Sequence, residues 1–124
     1  MIRKVHRFHG HNSLNFVYRN GKTVRGPLTA LKYITNPNRK HYRLAIVVSK
    51  KVSKSAVVRN RIRRRLYEAF RAQEPRMQRP YDMVVTVFSE NVQSIPAEEI
   101  ERLVYTQLKQ AGIISVAERP QASD

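Results

Sequence analysis

SKKVSKSAVVRNRIRRRLYEAFR, residues 49–71, is the stretch on which the fold turns. Val58, Ile62, Leu66, Ala69 and Phe70 recur at intervals of three and four, the spacing that keeps one face of a helix apolar. Ser55 supplies an N-cap oxygen. Gln73-Glu74-Pro75 ends the pattern, because a residue before proline avoids the helical region. On a step of about 100° per residue from Arg59, the apolar side chains fill an arc from roughly 260° to 20°. Arg59, Asn60, Arg63, Arg64, Tyr67 and Arg71 fill the adjoining arc from roughly 0° to 140°. Arg61, Arg65 and Glu68 take the remaining side.

The stretch carries nine Lys or Arg and one acid, Glu68. Arg59/Arg63 and Arg61/Arg65 are like-charge i,i+4 pairs, each costing a helix about 0.2–0.5 kcal/mol. An ordinary solvated face mixes its signs, whereas this one sets forks of guanidinium donors side by side, the geometry that matches phosphate oxygens. It reads as a surface for a polyanion.

The rest of the chain sharpens that reading. Residues 1–67 hold eighteen Lys or Arg and no acid, whereas residues 68–124 hold six and nine, a net of −3 within an overall +15. Such asymmetry indicates nucleic acid or an anionic membrane. A membrane-surface helix offers its large apolar residues to lipid; here they are needed for a core, so nucleic acid is favoured. The 124 residues suit one domain, 1–114, with 115–124 as a flexible tail. There is no cysteine, no apolar leader at the N-terminus and no run near the ~20 apolar residues of a membrane span, which together read as cytoplasmic.

Residues 1–12 form a basic arm with His6, His9 and His11; lacking any nearby carboxylate, it reads as lying along phosphates rather than holding a metal. Residues 13–18 read as a short helix capped by Ser13, with Leu14, Val17 and Tyr18 on one face and Asn20-Gly21 at its end. Residues 23–25 and 28–35 are strand-like, with a bulge or bend at Gly26-Pro27. Residues 42–49 (YRLAIVVS) are β-branched and become continuously apolar, as in a central strand covered on both faces. Lys50, Lys51 and Lys54 lie in a short connection to the long helix, 76–80 is a loop and 81–88 a further strand. A last helix starts at Ser94-Ile95-Pro96, with Glu98 and Glu99 in its first turn and Gly112 to close it. This order gives an α+β sandwich, helices on one face of a four-stranded, mainly antiparallel sheet, and the general preference is a right-handed crossover.

No pattern of a protein catalyst is present. Metal-dependent hydrolysis needs clustered carboxylates, and metal-independent RNA cleavage needs a general acid and base within reach of each other. The basic half has no carboxylate, and four glycines form neither a phosphate-binding loop nor a nucleophile elbow. Recognition of DNA bases by the long helix is disfavoured too, because no short partner helix precedes it at turn distance.

Ser49-Lys50-Lys51-Val52, followed by Ala56-Val57-Val58-Arg59-Asn60-Arg61-Ile62-Arg63-Arg64-Arg65-Leu66-Tyr67-Glu68-Ala69-Phe70-Arg71, resembles the signature of the protein subunit of bacterial ribonuclease P. The resemblance implies a ribosomal-protein-like fold with a left-handed β-α-β crossover. It also implies a function in which the catalytic RNA subunit, using magnesium not bound by a protein motif, removes the 5′ leader of precursor tRNA. This chain would bind the ribonuclease P RNA and the leader; a ribosomal component is the alternative that its charge serves equally well. Lys50, Lys51, Lys54, Arg59, Asn60, Arg61, Arg63, Arg64, Tyr67 and Arg71 would then contact RNA, with no membrane or DNA partner. Leu14, Val17 and Tyr18 would line the leader cleft, with Lys32 or Tyr33 from a strand. The sequence departs from the family pattern at Tyr67, where a basic residue is common, and at Leu14, where Phe is frequent.

Overall fold

The computed structural model describes residues 3–8, 11–77 and 79–114. Three helices, α1 (His11–Asn20), α2 (Ala56–Ala72) and α3 (Ala97–Ala111), and four strands, β1 (Lys22–Arg25), β2 (Thr29–Thr35), β3 (Arg43–Val47) and β4 (Tyr81–Val87), are joined by one-turn 3₁₀ segments. The sheet order is β1-β2-β4-β3. β1 pairs antiparallel with β2, and β2 with β4, while β3 and β4 are parallel neighbours linked through α2. It is an α+β domain on a mixed, mainly antiparallel sheet.

The register sorts the sheet into two faces. Leu31, Leu44, Ile46, Met83, Val85 and Val87 point to the side where α2 contributes Ile62, Leu66, Ala69 and Phe70 and α3 contributes Ile100, Val104 and Leu108. Alternation puts three rows on the other face: Ile34–Asp82–Arg43, Thr23–Lys32–Val84–Ala45, and Arg25–Ala30–Thr86–Val47. α1 lies across that second face and seals it with Val17, which is fully buried. The expectation that all helices share one face is therefore corrected: α1 is amphipathic and covers a second, smaller apolar patch that includes Val84 and Ala30.

Other expectations change in instructive ways. Residues 43–47 form an edge strand, not a central one; Leu44 and Ile46 are in the core while Ala45 and Val47 stay half-exposed. A continuous apolar run does not reveal which strand is flanked on both sides, and β4 holds that place. At Gly26-Pro27 the chain takes the bend rather than the bulge: it is the turn of the β1–β2 hairpin, closed by Gly26 N donating to the Thr29 carbonyl at 2.8 Å. α1 begins two residues before Ser13, whose hydroxyl accepts instead from Arg43 Nη1 at 3.3 Å. Gly21 is required where α1 enters β1: a Cβ there would stand 2.7 Å from the Val17 carbonyl oxygen and 2.9 Å from that of Tyr33.

α2 follows its reading closely. Ser55 caps it by accepting from Val58 N at 3.2 Å. α3 is closed by Gly112 at φ 77°, a left-handed conformation that glycine adopts without a Cβ clash. A reciprocal pair of bonds between Thr29 and Gln107 ties it to the hairpin: Thr29 Oγ1 donates to Gln107 Oε1 at 3.0 Å, and Gln107 Nε2 donates to the Thr29 carbonyl at 2.9 Å.

Candidate nucleic-acid interface

The arginines of α2 separate into two groups by angle. Arg65 turns toward the 3₁₀ turn Glu90–Gln93 and donates from Nη1 to the Val92 carbonyl at 2.9 Å and from Nη2 to the Ile95 carbonyl at 2.5 Å. Arg61 reaches Gln93 Oε1 at 3.4 Å on the same side. These two stitch the helix to the loop before α3, a role that sequence reasoning missed because the 3₁₀ turn carries no strong signal. Glu68 pairs with Arg71, Oε1 to Nη1, at 3.4 Å.

Arg59, at the front of the other group, is half-buried and donates from Nη1 to the Ser53 carbonyl at 3.0 Å. It therefore shapes the connection that carries Lys50, Lys51 and Lys54, all three exposed. Asn60 Oδ1 accepts from Arg63 Nη1 at 2.8 Å, so this amide holds a neighbouring guanidinium upright. Arg64 is exposed and makes no hydrogen bond or ion pair among the described residues. Tyr67 is half-buried and packs against the core. Along this helix face only Arg71 meets a carboxylate among the described residues.

The second surface is the face crossed by α1. Leu14 is half-buried and Tyr18 is 38% exposed, both on one flank of the helix. Lys32 stands on this face in the row with Thr23, Val84 and Ala45. Two of the proposed cleft residues are corrected. Val17 is 0% exposed and anchors α1, with no surface to offer a ligand. Tyr33 alternates to the opposite face, packs on the main core and meets the Tyr81 ring edge-on at 6.2 Å. Beyond Lys32 the floor continues over half-exposed Thr86 and Val47 to Arg25, whose guanidinium sits 4.6 Å from the centre of the exposed Phe88 ring. Sequence reasoning passed over that cation–aromatic pair because Arg25 ends β1 and Phe88 follows β4, far apart in the chain. β3 ends at Val47 beside the lysine connection, so this floor and the N-terminal end of the α2 strip adjoin.

The arm is not free where it is described. His6 is buried, stacked on Tyr42 at 3.9 Å, and its Nδ1 lies 2.9 Å from the Tyr42 carbonyl. Its Nε2 is 3.6 Å from Glu74 Oε2, which also accepts from the Tyr42 hydroxyl. Burial, and then the Glu74 hydrogen bond, hold the Tyr42 phenol far above the usual range. His9 and the side chain of His11 lie outside the described residues. Asp82, the buried acid, is committed to Arg43: Nε donates to Oδ1 at 2.9 Å and Nη2 to Oδ2 at 2.7 Å. Among the described residues no group of three or more His, Cys, Asp or Glu side chains is placed to hold a metal ion.

Residues 2–112 match the family model described as Ribonuclease P. The chain is 44% identical over 71 residues to the ribonuclease P protein component of a Pseudanabaena species, a match spanning 57% of this chain and 61% of that one. It is 32% identical over 122 residues to the same component of Roseiflexus castenholzii, spanning 96% and 98%. The fold superposes on the RNase P protein of Staphylococcus aureus with a TM-score of 0.77 at 24% identity, covering 89% and 98%.

Proposed function

The chain belongs to the ribonuclease P protein family and is the accessory protein subunit of that endoribonuclease, and we propose that it works by holding two RNAs at once. The α2 strip and the lysine connection dock on the catalytic RNA. The face crossed by α1 receives the single-stranded 5′ leader of precursor tRNA. The magnesium that serves cleavage is held by RNA phosphates rather than by this chain.

The observation that carries the reading is the sign and freedom of the strip: Lys50, Lys51, Lys54, Arg63 and Arg64 have no carboxylate partner among the described residues. Arg63 and Arg64 are also presented by a helix whose rotation the core fixes. Phosphate contacts of this kind release counterions and position RNA without reading its sequence. On the α1 face, Tyr18, Lys32 and the Arg25–Phe88 pair supply the aromatic and cationic elements that bind single strands by stacking and charge.

The test uses the reconstituted enzyme. The protein alone leaves precursor tRNA intact, and adding the RNA subunit restores cleavage at low magnesium. Replacing Tyr18 with Ala weakens binding of precursor tRNA about tenfold, the loss of one stacked base, and leaves mature tRNA binding unchanged. Equal weakening of both tRNAs would refute the leader assignment.

A further inference from the structure

We propose that the other flank of α1 is a separate RNA site, a pocket for one unstacked base with its phosphate. Phe16 lies two residues from Tyr18, about 160° around the helix from it, and is 50% exposed. Val17 seals the helix to the sheet between these two flanks, so a ligand on one does not touch the other. A lone exposed apolar residue needs no explanation; this one borders a pocket of about 410 Å³ that it shares with Asn12, Asn36, Asn38, Arg43 and Asp82.

The lining suits a base. Phe16, half exposed, supplies an aromatic ring for stacking. Each asparagine amide presents a donor and an acceptor side by side, the pairing that matches a base edge. Asn12 and Asn38 are exposed, with side chains that make no hydrogen bond among the described residues. Asn36 spends only its NH₂, donating to Asp82 Oδ2 at 2.8 Å, and its Oδ1 stays unused among the described residues. The pocket wall is rigid, because Arg43 and Asp82 are almost fully buried and doubly bonded to each other. That pairing also neutralises the carboxylate, which would otherwise repel an anion.

The rim suits a phosphate. Asn38 also lines an adjoining depression of about 480 Å³ with Lys4, Arg39 and Lys40, and no acid lines it. Those three cations are exposed and unpaired among the described residues. An aromatic ring and planar amides beside a cationic rim fit a nucleotide unit better than an acidic protein segment, which would need a broader apolar surface than one ring. The base can come from the catalytic RNA or from the precursor.

Two measurements decide it, and neither depends on the leader cleft. In the isotope-labelled protein, adenosine monophosphate shifts the Phe16 ring and the Asn36 and Asn38 side-chain amide signals, while ribose 5-phosphate moves only signals of the Arg39–Lys40 rim. Identical effects of the two probes, or shifts centred on Tyr18, would overturn the proposal. In the reconstituted enzyme, Phe16→Leu keeps the apolar bulk and loses the ring, and Phe16→Tyr keeps the ring. The Leu variant should bind one RNA about tenfold more weakly while the Tyr variant binds normally. A loss toward the catalytic RNA assigns the base to that subunit, and a loss confined to the precursor assigns it to the substrate. Unchanged affinity of Phe16→Leu for both RNAs sinks the site even if the mononucleotide binds.

Discussion

Arg64 and Arg65 are neighbours in sequence, and the structure gives them opposite duties, so replacing each with Gln separates grip from scaffold. Arg65 donates two bonds, at 2.9 and 2.5 Å, to carbonyls of the loop before α3. A hydrogen bond from a charged donor is worth about 1.5–3 kcal/mol. Both bonds share one half-exposed side chain and water can solvate the released carbonyls, so a net loss of roughly 2 kcal/mol is expected. For a domain of this size each kcal/mol moves the melting temperature by about 4 °C, which puts Arg65→Gln roughly 8 °C below the parent. Arg64 makes no bond to lose among the described residues, so Arg64→Gln melts with the parent. Its effect falls on RNA: the slope of log affinity against log salt becomes shallower by about 0.7–0.9, one phosphate contact fewer. Circular dichroism melts and catalytic-RNA binding across a potassium chloride series read the two effects independently. If Arg64→Gln lowers the melting temperature, or Arg65→Gln flattens the salt slope while melting normally, the division of the helix into two faces is wrong.

Two further outcomes follow from buried polar groups. Asp82→Asn leaves the Arg43 guanidinium buried without its counter-charge, which should cost about 3–5 kcal/mol in urea unfolding; an Asp82→Leu, Arg43→Met pair should recover most of that loss. Tyr42 keeps its phenol protonated in the fold, so its contribution is complete below the ordinary tyrosine range and is lost as alkaline pH deprotonates the unfolded chain. Tyr42→Phe should therefore be less stable than the parent by about 1–2 kcal/mol at pH 8, and the gap should close in melts run above about pH 11.

What the sequence disclosed and what it hid divide along a physical line. α2 was legible to its cap because the 3.6-residue period, the serine before it and the proline after it all act locally. The strands were legible as segments, since β-branched runs bounded by turn residues need no tertiary information. Which strand lies at the edge was not, because Ala45 and Val47 are as apolar as a central strand requires and exposure depends on what else covers them. Val17 and Tyr18 share a helix face on paper, yet one is sealed and the other open; about 100° of rotation decides which meets the sheet. Tyr33 and Lys32 differ by one residue, and strand alternation sends them to opposite faces once the register is known. Asp82 was invisible as a structural acid, because Arg43 sits 39 residues away.

The same distinction explains why one helix carries so many arginines. A strip of cations on a loosely held helix must pay to be oriented each time it binds, and like charges along it work against the helix itself. Here the orienting is done inside the protein. Ile62, Leu66 and Phe70 fix the rotation of α2 through the core. Arg65 and Arg61 fix it from the far side through the loop before α3, and Arg59 fixes the lysine connection at its N-terminal end. Arg63 is propped by Asn60. Basic residues thus set the angle at which other basic residues stand, and Arg64 and the three exposed lysines stand on a surface already arranged. A polyanion bound there would meet charge already in place, and little of the binding energy would go to ordering the protein.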